Sequence, residues 1–432
     1  MIKIWILFFL LIFSGCSLDT KSGIWTKDKE IKKVEKNINK IFKEKDIIIK
    51  EFNSNLLIKI DKSKILKKKI NGNTNNSGLS LFNEEIKRSS KFNFKRIDNF
   101  SYFEPELVSD GKNFIFFDDK SNLLKFDKDF KLIWKINIYN KQEKKLKPIL
   151  VLAQNKDSLI VTDTIGKIYK IDLNTGKLIW KKNNHNPFNS EIKIYNNQIF
   201  VVDLNNILRS YNLKDGTELW KFKSENSFLK SNKRNSLVIK NNIVYFNNSL
   251  GDILAVNINE GSLIWQTPTQ SSSIYENAFS LKMSDLVISK EDLIFSNNKN
   301  EIYSINLMSG ILNWKQNINS SVRPVIINDF IFTVSNEGYL FTLDRYSGNI
   351  IKITDVFSQF KPKKRKKIYP IGFVVSEKNI LLSTSNGRLL VIDLKSGKPF
   401  SVLKIDNEKI SRPFIFGQKI LLVKDNAIIR LN

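Results

Sequence analysis

The chain has 432 residues but only one cysteine, Cys16, and one histidine, His185. A lone cysteine excludes an internal disulfide, and the two residues together exclude the usual zinc sites built from several Cys or His. Stability must therefore come from packing. Acidic residues are also scarce, 43 against 70 Lys and Arg, which leaves a formal charge of +27. Such an excess can attract nucleic acid or anionic headgroups. Here, however, the basic residues are spread along a chain crowded with Lys, Asn and Ile, and no nucleic-acid-binding module is visible, so nucleic acid is not an expected partner. Nor is there an apolar run long enough to span a bilayer as a helix: the strongest covers residues 4–13.

That short run has the form of a secretion signal. Lys3 precedes it, and the small residues Ser14 and Gly15 lead into Cys16. The sequence Phe13-Ser-Gly-Cys16 resembles the lipobox of bacterial lipoproteins, with Phe where Leu is usual. The resemblance implies cleavage before Cys16, lipidation of its thiol and acylation of the new N-terminus, which together anchor a chain stably. The alternative is a buried cysteine ending an uncleaved helix. Ser17, in place of the Asp that signals inner-membrane retention, points to the outer membrane and a periplasm-facing body.

An apolar fraction of 41% and an aromatic fraction of 11% suit a folded body with a large core. Its organisation is repetitive. Apolar runs recur every 40 to 50 residues, at 114–117, 159–161, 199–202, 243–246, 293–295, 330–334, 380–382 and 420–423. Each is followed by a polar turn and a second run ending in Asp or Asn, at 122–127, 167–172, 207–212, 252–257, 301–306, 339–344, 388–393 and 427–432. These pairs read as hairpins. The first runs, taken as inner strands, are apolar on both faces, as stacked blades require and an open sandwich does not; a solenoid would usually have a shorter period and lack the hairpin signals. The expectation is an all-β fold, an eight-bladed β-propeller over 91–432, with a signal peptide at 1–15 and a tether and N-terminal extension at 16–90.

A third element follows most hairpins. In Asp172-Leu-Asn-Thr-Gly176-Lys-Leu-Ile-Trp180 the acidic side chain can cap turn amides, Gly176 can take positive φ, and Trp180 can act as a packing wedge. The pattern returns as Asn212, Gly216, Trp220, then Asn257, Gly261, Trp265, then Asn306, Gly310, Trp314, and in shortened form as Asp127 with Trp134. The repeats at Gly348 and Gly397 carry Lys352 and Ser401 in place of the tryptophan. The eighth repeat stops at Asn432 without its outermost strand, and residues 92–97 are the expected donor that closes the ring. Upstream, 27–45 reads as a charged helix or tether, 46–51 and 56–60 as strand-like pieces that can pack on the body, and the Asn- and Gly-rich 71–77 as a spacing loop.

The Asp/Asn-x-x-x-Gly-x-x-x-Trp repeat is similar to that of quinoprotein-type propellers. Together with the lipobox, eight repeats and the long leading segment, it resembles the BamB family of outer-membrane β-barrel assembly lipoproteins, particularly its alphaproteobacterial form. The resemblance implies no catalysis and no cofactor. It implies instead a scaffold that binds BamA and other barrel-assembly components and helps deliver unfolded outer-membrane proteins for insertion. In that family the loop before the fourth blade carries a Leu-x-Leu-Arg-Gly type contact motif. Here the loop, 227–236, contains Phe228-Leu-Lys-Ser-Asn-Lys-Arg-Asn235: Leu229 matches an apolar contact position, while Ser231, Asn232 and Lys233 depart from the motif. Phe228 and Leu229 are the expected apolar contacts, and Lys230, Lys233 and Arg234 the steering charges; the alternative is a basic loop tucked onto its own blade. Two other functions remain open. One is a pyrroloquinoline-quinone-dependent dehydrogenase using calcium, a class that commonly carries an adjacent cysteine pair this chain lacks. The other is a different ligand-binding periplasmic propeller lipoprotein. The periodic tryptophans read as packing residues, and His185, in a turn-like stretch, as a surface residue without a partner carboxylate.

Overall fold

The computed structural model describes residues 58, 60, 72–82, 85–86, 89–98, 100–225, 233–269, 283–297 and 300–431. Among the described residues eight sheets follow one another in chain order, each built on an antiparallel meander of four strands, as the repeat predicts for a propeller. Blade 2 shows the pattern: Leu150–Gln154, Ser158–Asp163, Lys167–Asp172 and Leu178–Asn183. The apolar runs are the second strands of the blades, not the innermost. In blade 1 the strand Asn113–Phe117 holds Phe114, Ile115, Phe116 and Phe117 at 2% exposure or less. Neighbouring blades cover both faces of such a strand, and each fully buried side chain of this size contributes about 1.5–3 kcal/mol. Several innermost strands are short, such as Lys193–Tyr195 and Val325–Ile327, and they approach one another around the axis.

The ring is closed by an N-terminal strand. Ser89–Asn93 pairs antiparallel with Ala427–Leu431, in the register Ser89 with Leu431 and Asn93 with Ala427. The donor thus begins three residues before the expected 92–97. Its last ladder partner is Asn93, after which Phe94 N and Ile97 N donate to the carbonyls of Asn426 and Asp425. Phe92 meets Phe126 of blade 1 edge-on at 4.7 Å, so the closing strand also ties blade 8 to blade 1.

The repeated turn and tryptophan form a clasp between blades. Asp172 Oδ1 accepts from the amides of Asn174 and Thr175, Gly176 N donates to Asp172 O, and Gly176 takes φ +74°. Each tryptophan lies on the outermost strand of one blade and donates its indole N–H to the residue after the Asp or Asn of the next: Trp134 to Leu173 O, Trp220 to Ile258 O and Trp314 to Arg345 O, at 3.2, 2.8 and 2.9 Å. The glycine of that next turn faces the indole, so closely that a Cβ on Gly261 would stand 2.7 Å from Trp220. In blade 6, where the tryptophan is missing, Lys352 Nζ donates across to Lys395 O at 3.3 Å.

Residues 72–82 are not a spacer. They run against the innermost strands, and Leu79–Ser80 adds a parallel fifth strand to blade 7, pairing with Val375 and Ser376. The packed body therefore starts well before residue 91. Of the strand-like pieces upstream, Ile58 and Ile60 pack on the core between blades 6 and 7; 46–51 and the charged stretch 27–45 lie outside the described residues.

Candidate functional site at the axial mouth

The residue two positions before the innermost strand occupies one level of the ring. In six blades it is polar: Glu106, Glu191, Asn235, Asp285, Arg323 and Arg412. Several of these positions are fixed by a preceding serine whose Oγ accepts an amide from the second strand of the same blade. Ser190 takes Val202 N at 2.7 Å, Ser284 takes Ser296 N at 2.8 Å and Ser411 takes Val423 N at 2.8 Å. The charged side chains are thereby delivered together to one mouth of the axial channel.

Arg323, its side chain 10% exposed, is the hub. Its Nη2 lies 2.6 Å from Glu191 and 2.9 Å from Glu106, and its Nε lies 2.6 Å from Asp285. Burial is the largest influence on Glu106 and Asp285 and opposes their ionisation, yet Arg323 together with the neighbouring Lys233, Arg234 and Arg412 more than offsets it and holds both below the usual carboxylate range. Burial likewise opposes the charge on Arg323, and the carboxylates more than offset it, raising the guanidinium well above its ordinary value. Arg412 has the reverse balance: burial first, then repulsion from Arg323, bring it down to about 10. It donates to Phe373 O at 3.1 Å and to Ser77 Oγ at 2.6 Å. Oxygens of Glu106, Glu191 and Asp285 lie within 4.8 Å of one another, a spacing that could hold a cation. The Arg323 guanidinium bonds to all three, so the place of a metal ion is filled by a side chain.

Below this mouth the channel is filled by residues 72–80. Asn75 Nδ2 lies 3.0 Å from Glu191 Oε2, 3.1 Å from Ser236 Oγ, 3.2 Å from Leu237 O and 2.9 Å from Leu286 O. Lys193 Nζ donates to Asn75 Oδ1 and pairs with Glu191 at 3.1 Å. A buried network satisfied to this degree rigidifies its surroundings.

Of the expected contact residues, Lys233 and Arg234 are half-buried and reach across the mouth. Lys233 Nζ donates to Ser321 O, in the approach to blade 6, at 3.2 Å, and Arg234 donates to Glu104 O, in the approach to blade 1. Phe228, Leu229 and Lys230 lie outside the described residues, as does Cys16. His185 is exposed on the connection from blade 2 to blade 3. Sequence reading missed the charged ring and the channel segment. The available signal was the dipeptide of Ser with Glu, Asp or Arg, at 190–191, 284–285 and 411–412, recurring in phase with the blades.

These features define a class: an eight-bladed propeller with quinoprotein-like repeats, whose innermost strands bind residues 72–80 of its own chain. The family model described as outer membrane protein assembly factor BamB matches residues 119–354, more than half of the chain. The chain belongs to the BamB family. Among solved structures it is similar to BamB from Moraxella catarrhalis, with a TM-score of 0.64 and 11% identity over 80% of this chain and 100% of that one. It is also similar to the quinohemoprotein alcohol dehydrogenase ADHIIG from Pseudomonas putida HK5, with a TM-score of 0.60 and 11% identity over 80% and 75% of the two chains. A computationally designed protein, Ika8, gives a TM-score of 0.61 and 10% identity over 78% and 99%. At these identities the structures share the fold. No curated protein matches the chain.

Proposed function

We propose that the protein is a non-enzymatic scaffold of the outer-membrane protein assembly machinery, lipid-anchored through Cys16 and facing the periplasm. It binds BamA and assists delivery and insertion of outer-membrane proteins. The observation that carries this reading is the BamB family match over 119–354. The geometry of the axis supports it. A dehydrogenase of the related propeller type needs room and ligands for a quinone and a calcium ion. In this chain Arg323 bonds to all three clustered carboxylates, which leaves them no free place for a calcium ion, and residues 72–80 bond to the innermost strands beneath; these residues do not fit that cofactor pair at the axial mouth. A rigid ring with a filled axis acts through its surface loops.

The loop 227–236 is the proposed contact with BamA. Lys233 and Arg234 reach across the mouth to Ser321 O and Glu104 O, and in this proposal Phe228 and Leu229 are the apolar anchors and Lys230, Lys233 and Arg234 the steering charges. Capture from mildly crosslinked cells tests the reading: the protein should recover barrel-assembly proteins, and replacing Phe228 and Leu229 by Ser should reduce that recovery with circular dichroism unchanged. Recovery of a polysaccharide or a dehydrogenase electron acceptor in their place overturns the scaffold function. Undiminished capture by the double variant overturns the loop assignment.

A further inference from the structure

We propose that the axial channel is a binding site for an extended polar peptide, and that residues 72–80 of this chain are its occupant in cis. The segment reads Gly72-Asn-Thr-Asn-Asn-Ser-Gly-Leu-Ser80, with one apolar side chain in nine residues. It is gripped in the manner of a bound strand. Asn73 O accepts from Ile239 N at 2.7 Å in blade 4, and Thr74 O accepts from Ile288 N at 2.9 Å in blade 5. The Asn76 amide reads Ile326 of blade 6 in both directions, donating to its carbonyl at 3.0 Å and accepting from its N–H at 3.1 Å. Leu79 and Ser80 complete the path as an added strand on blade 7, while Ser77 takes the guanidinium of Arg412 and Gly72 O takes Lys193 Nζ of blade 3 at 3.3 Å. Six blades thus contribute to one extended peptide. Main-chain bonds supply the grip and two asparagine side chains supply the specificity, the division of labour seen in strand addition.

This contact differs from those that hold the blades together. Between blades the contacts are largely apolar, whereas the segment carries one apolar side chain, Leu79, and is held by hydrogen bonds that water could replace on its departure. Departure would bare the N–H groups of Ile239, Ile288 and Ile326 and the cations of Lys193 and Arg412. That set is complementary to an extended chain bearing small amide and hydroxyl side chains.

The test replaces residues 72–80 by a Gly-Ser linker of equal length and adds a labelled synthetic peptide of residues 71–82 in trans. The peptide should bind the linker variant saturably and raise its Tm, at least tenfold more tightly than the same peptide with Asn75→Ala and Asn76→Ala, and should not bind the intact chain. Absence of saturation, equal binding of the two peptides, or equal binding to the intact chain overturns the proposal. Should the linker variant fail to fold, hydrogen exchange on the full chain decides. N75A/N76A should accelerate the amides of Ile239, Ile288 and Ile326 at least tenfold while those of Ile160 and Leu381, in second strands, stay slow. No acceleration, or acceleration of all these amides together, overturns it.

Discussion

Replacing Arg323 by Met removes the charge at the centre of the axial mouth while keeping most of the side chain's volume. The guanidinium makes three contacts, two at 2.6 Å and one at 2.9 Å, in a site where Arg323, Glu191 and Asp285 have side chains little more than 10% exposed. Breaking a buried pair by removing one partner costs about 3–5 kcal/mol. For a unit of this size the unfolding entropy is on the order of 0.7 kcal/mol per degree, so Tm should fall by about 4–7 °C. The pH dependence gives a sharper reading. In the native chain Asp285 and Glu106 titrate below their unfolded values, so their stabilisation is complete above the unfolded carboxylate range and disappears as pH falls through the depressed values. Between pH 8 and 5 the cluster therefore leaves Tm unchanged. In R323M, burial and mutual repulsion are opposed only by the weaker attraction of Lys233, Arg234 and Arg412, and the same carboxylates should rise above their unfolded values, at about 1.4 kcal/mol of lost stability per unit. Protonation relieves that loss, and the variant should gain stability from pH 8 to pH 5. Thermal denaturation followed by circular dichroism at both pH values measures the difference. A Tm within 1 °C of the native chain at pH 8, or a pH dependence parallel to it, refutes the reasoning.

Other outcomes follow from the clasps, the closure and the anchor. Gly261→Ala places a methyl on Trp220 at a positive φ and should cost about 1–3 kcal/mol. Trp220→Ala in the same chain removes the clash, so the double variant should lose at least 0.5 kcal/mol less than the sum of the singles, roughly the threshold for coupled neighbours; additivity in denaturant unfolding counts against the clasp. Phe92→Ala should cost about 2 kcal/mol through its lost contact with Phe126, whereas exposed Lys91→Ala should cost nothing measurable; equal melting temperatures for the two would argue against closure by this strand. Cys16→Ser should move the protein from the membrane fraction to a soluble or uncleaved form with an unchanged Tm, and normal outer-membrane fractionation would rule out the lipid anchor.

The blades were legible because their burial is local and periodic. A second strand covered on both faces must be apolar at every position, and a run such as Phe114-Ile-Phe-Phe117 announces this without reference to its neighbours. The innermost strand of blade 3 escaped notice for the opposite reason. Lys193–Tyr195 is three residues long and lines a polar channel, so it carries neither an apolar run nor an alternation. The tryptophan motif was legible as packing but not as a link between blades, since the glycine that Trp180 contacts is Gly216 in the following repeat and not Gly176 in its own.

The axial site was hidden because its members are far apart in sequence and contradict the composition rules when taken singly. Glu106, Glu191, Asp285 and Arg323 each read as a surface charge, and only the ring brings them within hydrogen-bonding distance. The channel segment is the stronger case. Asn- and Gly-rich stretches are loops in most settings because their side chains compete with regular backbone pairing. Inside a channel lined by strand ends that same competition becomes the source of affinity, as Asn76 pairs with the free backbone edge of Ile326 and Asn75 with the carbonyls of Leu237 and Leu286. A composition that reads as a spacer is thus also the composition that best fills a polar axis, and what separates the two readings is the number of unpaired backbone groups waiting at the centre of the ring.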